Sequence, residues 1–324
     1  MTLAGGDYDR TRALQDGTVE VEGCELNYIP LTIEEIFWRQ LRYGEFDASE
    51  LSCSAYVMLR SRGQDDFIAI PVFPSKMFRH SCMFINKENG ITRPEDLRGR
   101  RVGVPEYHMT AALWQRGIMQ HEYGIKPSEI EWITGGGEDP GRVERVELRL
   151  PPEIKVTPVL DRTLNDMLVN GEIDALFGPR MPSSFMKGSP VVRRLFPNYA
   201  AVEKDYYQRT GIFPIMHIVA IKRKLYEENP WVAQSLVKAF TEAKDQCLTQ
   251  MYDSNALTHS LPFLMQTVED HRALFGPDLW SYGIESNRKT LEALALYSYE
   301  QGLSERLMTL EELFAPNTFT KFHI

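Results

Sequence analysis

The chain has 324 residues, of which 43% are hydrophobic and 25% charged, the ordinary mixture of a folded globular protein with ample length for a buried core. Its net charge of −9 argues against nucleic acid as a main partner, although a local arginine cluster can still bind a small anion. Residues 1–7 lack a basic start and an apolar segment, no stretch reaches transmembrane length, and the four cysteines are scattered. We therefore expect a cytoplasmic protein with reduced cysteines, no cysteine-bound metal and no contact with a membrane.

Strands and helices alternate along the first part of the chain. Strands are predicted at residues 1–4, 23–29, 67–73 and 77–86. Between them, Thr32 is expected to cap an amphipathic helix, with Glu34 and Glu35 in its first turn. Gly44 is expected to end that helix. Such alternation is typical of an α/β fold whose sheets are largely parallel.

The stretch from Gly99 to Arg116 marks the start of a second strand–helix unit. Residues 102–104 form a short apolar strand, Pro105 ends it, and a helical pattern begins near Thr110. A strand, a tight loop and a helix start together present unpaired backbone N–H groups to an anion. An ordinary strand–helix unit without a ligand explains the same pattern, so this stretch alone predicts the geometry but not the binding.

Two similar strings indicate a weak internal repeat. Residues 42–51 have the sequence RYGEFDASEL, and residues 168–176 have the sequence LVNGEIDAL. In both, a helix stops at glycine, an acidic residue follows, and a buried strand begins after Asp-Ala, which predicts two lobes of related topology. The elements predicted around the second string are a helix at 111–123, a strand at 131–134, a hairpin-like insertion at 142–153, a strand at 155–160, a helix at 163–169 and a strand at 173–178.

These strings, with PEDLRGRRVGVP at 94–105 between them, resemble the type 2 periplasmic-binding-protein fold. Over nearly its whole length the chain is further similar to the 4,5-dihydroxyphthalate decarboxylases. The resemblance implies a cytoplasmic carboxy-lyase of phthalate degradation, which converts 4,5-dihydroxyphthalate to protocatechuate and carbon dioxide. The strings on which it rests are DYDRT at 7–11, FDASELS at 46–52, IPVFPS at 70–75, FRHS at 78–81, VPEY at 104–107 and GIFPIMH at 211–217.

The same resemblance implies two lobes with a cleft between them, built on two mixed, mostly parallel sheets. Residues 1–88 and 213–324 are expected to form the first lobe, with the C-terminal helices, and residues 89–212 the second. In open α/β sheets, ligands bind beyond the carboxyl ends of the strands, which here would face the cleft. Helices predicted at 231–247 and 288–301 are expected to offer a face for a homo-oligomer.

Polar side chains follow the predicted strand ends and would converge in the cleft. Guanidinium groups bind carboxylates in bidentate fashion, so a site rich in arginine and hydroxyl groups suits an aromatic dicarboxylate. Arg12 is equally explained as a surface charge. Ser52 and Ser54 are equally explained as helix caps, and His108 as part of a helix start. The candidate substrate-binding residues are Asp9, Arg10, Arg12, Ser52, Ser54, Arg79, Ser81, Tyr107, His108, Thr110 and Arg180, with Arg10, Arg79 and Arg180 as the expected anion grip.

Two histidines are candidates for the general acid. His80 stands between arginine and serine in a strand that should otherwise be apolar. His217 lies in the apolar strand 213–221, where a structural histidine is equally expected. In the implied reaction a para hydroxyl pushes electron density into the ring, and the acid protonates the carbon that bears the carboxylate. Because the hydroxylated ring is its own electron sink, no organic cofactor is expected.

The sequence gives no support for metal-dependent, dinucleotide-dependent or nucleophilic catalysis. No clustered His or Cys spacing predicts a metal, and neither a dinucleotide fingerprint nor an activated nucleophile is present. A second function class remains, a solute-binding or sensing protein for an aromatic or heteroaromatic carboxylate, with the same cleft and no turnover. The absence of a secretory signal favours the decarboxylase. Should neither histidine serve as the acid, Tyr107 or a bound water is the next candidate.

Overall fold

The computed structural model describes residues 1–320, which form two β-sheets with helices packed around them. The strands are β1 (Thr2–Gly5), β2 (Asn27–Pro30), β3 (Ala48–Ser52), β4 (Phe67–Lys76), β5 (Met83–Asn86), β6 (Arg101–Val104), β7 (Glu131–Gly135), β8 (Val156–Val159), β9 (Ala175–Phe177), β10 (Val192–Arg194) and β11 (Ile215–Lys222). The helices are α1 (Arg12–Gln15), α2 (Ile33–Tyr43), α3 (Cys53–Ser61), α4 (Thr110–Tyr123), α5 (Leu164–Val169), α6 (Ser183–Met186), α7 (Tyr199–Thr210), α8 (Arg223–Glu228), α9 (Trp231–Met251), α10 (Leu264–Phe275), α11 (Arg288–Glu300) and α12 (Leu310–Leu313). Within this range no helix combines the length and the apolar character that a membrane span requires.

The strands lie in two separate sheets of mixed direction. The first has the order β2-β1-β3-β11-β4, and the second has the order β10-β5-β9-β6-β7-β8. In the first sheet β11 runs antiparallel to β3 and β4, and in the second β5 runs antiparallel to β9 and β10. The remaining neighbours are parallel. The predicted α/β fold with two mixed, mostly parallel sheets is therefore confirmed.

The path of the chain between the sheets differs from the prediction. β4 continues to Lys76 and a 3-10 turn occupies His80–Cys82, so residues 77–82 form a crossing rather than the start of a strand. β5 then pairs with β9 and β10 in the second sheet, although the sequence predicts residues 1–88 in the first lobe. The apolar side chains of β5 suit either sheet, and only the pairing partners decide between them. The hairpin predicted at 142–153 is absent, since these residues contain no strand.

The internal repeat has a structural cause in two aspartates. Asp47 and Asp174 stand directly before the middle strands β3 and β9, and each carboxylate accepts the first N–H of the parallel neighbour. Asp47 Oδ2 lies 2.8 Å from the Thr2 nitrogen, and Asp174 Oδ2 lies 2.9 Å from the Arg101 nitrogen. The carbonyl groups of the same aspartates accept hydrogen bonds from the antiparallel neighbours β11 and β5, at 2.9 and 3.0 Å. The two strings therefore join equivalent strands in both sheets.

Helix α4 contacts both halves of the molecule and is buried from Thr110 to Met119. Trp114 Nε1 donates to the carbonyl of Ile215 in β11, at 2.8 Å. Gly117 allows Tyr297 of α11 to pack directly on the helix, because a Cβ atom at this position would lie 2.1 Å from Tyr297 Cδ2. These contacts fix the position of α4 and of the loop that precedes it.

We expect Gly117→Ala to lower the free energy of unfolding. The added methyl group would overlap the Tyr297 ring, and such overpacking typically costs ~1–3 kcal/mol, against at most ~1 kcal/mol gained in helix propensity. Urea unfolding followed by circular dichroism measures the change. Gly137→Ala is the control, since no group outside its chain neighbours lies within 4 Å of the added carbon. An unchanged unfolding midpoint for Gly117→Ala would mean that α11 moves away without cost.

Candidate functional site

Three hydroxyl groups join the starts of α3 and α4, where the two halves of the molecule meet. Ser52 ends β3, and its Oγ accepts the Ala55 N–H as the cap of α3. Ser52 Oγ also lies 2.8 Å from Thr110 Oγ1, which accepts the Ser54 N–H at 3.1 Å. The Ser54 hydroxyl donates to the carbonyl of His108. The structure thus brings together four of the predicted site residues, and Ser52, but not Ser54, also caps α3 as the alternative interpretation expects.

The start of α4 retains the geometry that the sequence predicts for anion binding. Met109 occupies the N-cap position, and its side chain makes no capping hydrogen bond. The first N–H groups of a helix have no acceptor within the helix, and here they lie in the buried segment 110–112. A negatively charged group would be favoured at this end of the helix dipole.

A buried carboxylate holds His217 beside the hydroxyl groups. His217 faces Ser52 across the β3–β11 pair, and Glu50 lies two residues before Ser52 on the same face of the sheet. His217 Nδ1 is 2.6 Å from Glu50 Oε1, which also accepts the Tyr8 hydroxyl at 2.7 Å. Glu50 Oε2 accepts the Gly6 N–H at 2.9 Å. Donors on three sides therefore satisfy the Glu50 carboxylate.

Burial and hydrogen bonding have opposite effects on the ionisation of Glu50. Burial opposes ionisation of Glu50, but the hydrogen bonds from His217, Gly6 and Tyr8 outweigh it and hold the pKa of Glu50 below its usual value. An ionised carboxylate only accepts hydrogen bonds, so His217 Nδ1 carries the proton. His217 Nε2 makes no hydrogen bond within residues 1–320 and is the nitrogen left for a ligand. Burial and the neighbouring carboxylate raise the pKa of Tyr8 well above its usual value.

A second charged cluster follows β6. His108 Nδ1 lies 2.6 Å from Glu144 Oε2, and His108 Nε2 lies 3.4 Å from Glu106 Oε2. The other oxygen of Glu106 accepts Arg142 Nε at 2.7 Å, with Arg145 Nε at 3.5 Å. Glu106 and His108 are buried. The loop after β7 therefore brings one carboxylate and two guanidinium groups to the end of β6.

This cluster includes the atoms that could hold a metal ion. Glu106, His108 and Glu144 each offer one ligand atom, and these atoms lie within 4.8 Å of one another. One imidazole and two carboxylates are ligands of the kind that Zn²⁺ accepts. Arg142 and Arg145 nevertheless compete with a cation for Glu106. An ion-pair network is the simpler description of these contacts.

Arg79 is a buried cation without an anionic partner. Its Nε lies 3.1 Å from Met216 Sδ in β11, and its Nη1 donates to the Pro179 carbonyl after β9 at 3.3 Å. No carboxylate in residues 1–320 lies within ion-pair distance of it, and burial lowers the pKa of Arg79. A buried charge is costly unless it is paired. The guanidinium is therefore suited to bind an anionic ligand near β9 and β11.

The structure does not support His80 as the general acid. His80 lies in a 3-10 turn rather than a strand, and its ring packs against Phe196 and Tyr206, with ring centroids 5.2 and 5.3 Å away. Its Nδ1 has no hydrogen-bond partner, and burial lowers the pKa of His80 to about 4. Such a group holds no proton to donate at neutral pH. Ser81 next to it donates its N–H to Glu203, at 2.9 Å, and takes no part in the hydroxyl cluster.

Arg10 and Asp9 stabilise the loop after β1. The guanidinium of Arg10 lies 4.2 Å from the centre of the Tyr8 ring and 4.1 Å from that of Trp280. Its Nε donates to the carbonyl of Pro74 at 2.7 Å, and Asp9 accepts the Arg10 N–H at 2.7 Å. The Arg10 guanidinium, which the sequence predicts to bind a substrate carboxylate, is therefore engaged with groups of the protein itself.

Three further candidates lie in different surroundings. The Arg12 side chain is 64% exposed, as the surface-charge interpretation expects. The Tyr107 hydroxyl points into the core, 3.3 Å from the carbonyl of Gln301. Arg180 is exposed and pairs with Glu34 of α2 at 2.7 Å, so it links the two halves of the molecule. Tyr107 and Arg12 are therefore unsuited to contact a ligand beside the hydroxyl cluster.

Sequence patterns do not single out several groups that complete the site. Glu50 carries a usable signal, because a charged residue in the middle of the buried strand β3 requires a partner. The segment 142–153 carries none, since its alternating charges have the pattern of a solvated surface. The residues that sequence analysis missed are Glu50, Glu106, Arg142, Glu144 and Arg145.

Comparisons with known proteins find one family model and two curated relatives that resemble this chain. A protein-family model described as "ABC transporter, phosphonate, periplasmic substrate-binding protein" matches residues 12–145. The 4,5-dihydroxyphthalate decarboxylase of Comamonas testosteroni is 40% identical over 325 residues, covering 100% of this chain and 98% of that protein. The protein of the same name from Pseudomonas putida is 40% identical over 209 residues, which covers 64% of this chain and 81% of that protein.

Solved structures share the fold at low sequence identity. The periplasmic aliphatic sulphonate binding protein SsuA from Escherichia coli has a TM-score of 0.56 and 14% identity, covering 98% of both chains. The desulfurization enzyme DSZB has a TM-score of 0.53 and 16% identity, covering 98% of this chain and 97% of its own. One is a binding protein and the other an enzyme by name, so the fold does not choose between the two activities.

The pKa of His80 gives a testable pH dependence of stability. Above pH ~6.5 the His80 imidazole is neutral in both the folded and the unfolded protein. Between pH ~6.5 and the native pKa of about 4, only the unfolded chain takes up the proton. The free energy of unfolding should therefore fall by about 3 kcal/mol as the pH is lowered through this range. His80→Phe should lose this part of the dependence in urea unfolding at pH 7.5 and 4.5. His271→Phe, at an exposed histidine, is the control; equal slopes for wild type and His80→Phe would contradict the assignment.

Proposed function

The chain belongs to the family of the 4,5-dihydroxyphthalate decarboxylases, and we propose that it converts 4,5-dihydroxyphthalate to protocatechuate and carbon dioxide. The observation that supports this most is 40% identity over the whole chain to a decarboxylase of that name. Because the match covers 98% of that protein, nearly every part of the relative has a counterpart here. The substrate is a small aromatic dicarboxylate.

The direct test is incubation of the purified protein with 4,5-dihydroxyphthalate. Release of carbon dioxide and formation of protocatechuate in equal amounts are the expected result. Phthalate, which lacks the electron-donating hydroxyl groups, is the control and should release none. Tight binding of 4,5-dihydroxyphthalate without carbon dioxide release would instead make the protein a solute-binding or sensing protein.

The buried guanidinium of Arg79 is proposed to hold the carboxylate that the product retains. A ligand carboxylate would supply the anion that Arg79 lacks among its neighbours. A cation on the departing carboxylate would stabilise the reactant more than the transition state, in which that charge leaves.

His217 is proposed to donate the proton. Its Nε2 transfers a proton to the ring carbon that bears the leaving carboxylate, while the para hydroxyl supplies electron density to the ring. The bond to the carboxylate then breaks, its electron pair restores the aromatic ring, and carbon dioxide leaves. The transferred proton stays on the product, and a proton from the solvent restores His217, so each turnover consumes one proton. Glu50, 2.6 Å from Nδ1, stabilises the charged imidazolium before the transfer.

His217→Asn should lower kcat by roughly two to four orders of magnitude, the usual contribution of a general acid, with a much smaller change in KM. Steady-state kinetics on 4,5-dihydroxyphthalate measures both. His121→Asn is the matched control, because that histidine pairs with a glutamate at 2.7 Å on the exposed side of α4. A lowered melting temperature with near-normal kcat in the folded fraction would mean that His217 is structural, and another proton donor would then be needed.

Arg79→Met should raise KM for 4,5-dihydroxyphthalate about 10- to 100-fold, because a charged hydrogen-bond partner of the carboxylate is lost. Since the wild-type guanidinium has no ion pair, the substitution should not lower the melting temperature of the ligand-free protein. Arg93→Met, at an exposed arginine, is the control. A lower melting temperature with unchanged KM would assign Arg79 to the fold rather than to the substrate.

The location and the assembly of the protein stay predictions. We propose a cytoplasmic location, which a reducing compartment and free cysteines would suit. A homo-oligomer formed through α9 and α11 is likewise kept as a prediction. The free cysteines are Cys24, Cys53, Cys82 and Cys247.

A further inference from the structure

The imidazole of His108 has a carboxylate at each of its two nitrogens. Nδ1 makes a short contact of 2.6 Å with Glu144, whereas Nε2 lies 3.4 Å from Glu106 Oε2. The second distance exceeds that of a good N–H···O hydrogen bond, which is ~2.7–3.2 Å. Nε2 is therefore poorly satisfied by the protein, although Nδ1 is held firmly.

We call the space beside His108 Nε2 and Glu106 Oε2 the gap. The charges around it determine which chemical group fits there. An incoming carboxylate would face Glu106 Oε2, because Arg142 and Arg145 both contact the other oxygen of Glu106. A neutral hydroxyl meets no such repulsion. It donates to Glu106 Oε2 and exchanges a second hydrogen bond with His108 Nε2, as donor or acceptor according to the tautomer. The gap therefore favours a phenolic hydroxyl over a carboxylate.

His108 and the proposed acid both border the hydroxyl cluster of Ser52, Ser54 and Thr110. The His108 carbonyl accepts the Ser54 hydroxyl, Ser52 contacts Thr110, and Ser52 faces His217 across the strand pair. A ring that binds there with a hydroxyl group at His108 would hold its carboxylates away from the two glutamates.

Resting on the proposed function, we infer that His108 Nε2 and Glu106 Oε2 bind one ring hydroxyl of the substrate and determine specificity for hydroxylated aromatic acids. Glu144 is then a positioning residue, which fixes the His108 ring through Nδ1. With the retained carboxylate at Arg79, as proposed above, the hydroxyl end of the ring lies at β6.

The test compares dissociation constants for 3,4-dihydroxybenzoate and benzoate, measured by calorimetry, since both lack the leaving carboxylate of the substrate. The wild type should bind the dihydroxy acid more tightly. His108→Asn keeps a donor near the Nδ1 position but loses Nε2, so the ratio of the two constants should fall roughly 10-fold or more. His108→Gln, whose amide reaches the Nε2 position, should recover part of the ratio. His121→Asn is the matched control and should leave it unchanged.

Each outcome decides the inference. A ratio near one in the wild type, or an unchanged ratio in His108→Asn, would overturn it. Equal weakening of both acids would assign His108 to the carboxylate and also overturn it. If His108→Asn does not fold, Glu106→Gln replaces it, with a reduced ratio expected and an unchanged ratio contradicting the assignment. Lack of carbon dioxide release from 4,5-dihydroxyphthalate counts against the proposed function instead, because these binding ratios do not depend on turnover.

Discussion

The Glu50 carboxylate imposes the strongest constraint on the first sheet and on the candidate site. A charge buried in the middle strand must be fully hydrogen-bonded, and its donors come from both sides: the loop after β1 and the side chain of His217 on β11. The loop and the histidine are therefore held in one geometry. The same contacts leave only Nε2 of His217 available to a ligand. The need to hydrogen-bond the buried Glu50 carboxylate therefore also determines which nitrogen of His217 can react.

Two buried charges of the candidate site differ in how the protein compensates them. Glu50 accepts hydrogen bonds from the Gly6 N–H, the Tyr8 hydroxyl and His217, and it belongs to a fixed network. Arg79 contacts the Met216 sulfur and the Pro179 carbonyl oxygen and has no ion pair within residues 1–320, so Cys82 and Glu203 offset its burial only in part and its pKa stays lowered. Such a cation is expected where a ligand supplies further negative charge. The contrast separates the groups that organise the site from the group proposed to bind the substrate.

Sequence analysis predicted features that depend on neighbours along the chain. The end of α2 at Gly44, the start of α4 at Thr110 and the strands after the two Asp-Ala strings all follow from local backbone preferences and apolar spacing. The repeat also indicated two related sheets correctly, because Asp47 and Asp174 make the same contacts in each. The site was predicted only in part: Ser52, Ser54, Thr110 and His108 do meet, whereas Tyr107 turns into the core.

The sequence by itself determined the fold class, the alternation of elements and the loop before α4, since turn residues and hydrophobic periodicity act over a few positions. Only the tertiary structure decided that β5 joins the second sheet, that His80 lies among aromatic rings, and that Glu50 meets His217. Each of these depends on residues that are far apart along the chain. Apolar strands pair equally well with many partners, and a histidine is protonated or neutral according to its surroundings, so these properties exist only once the packing is complete.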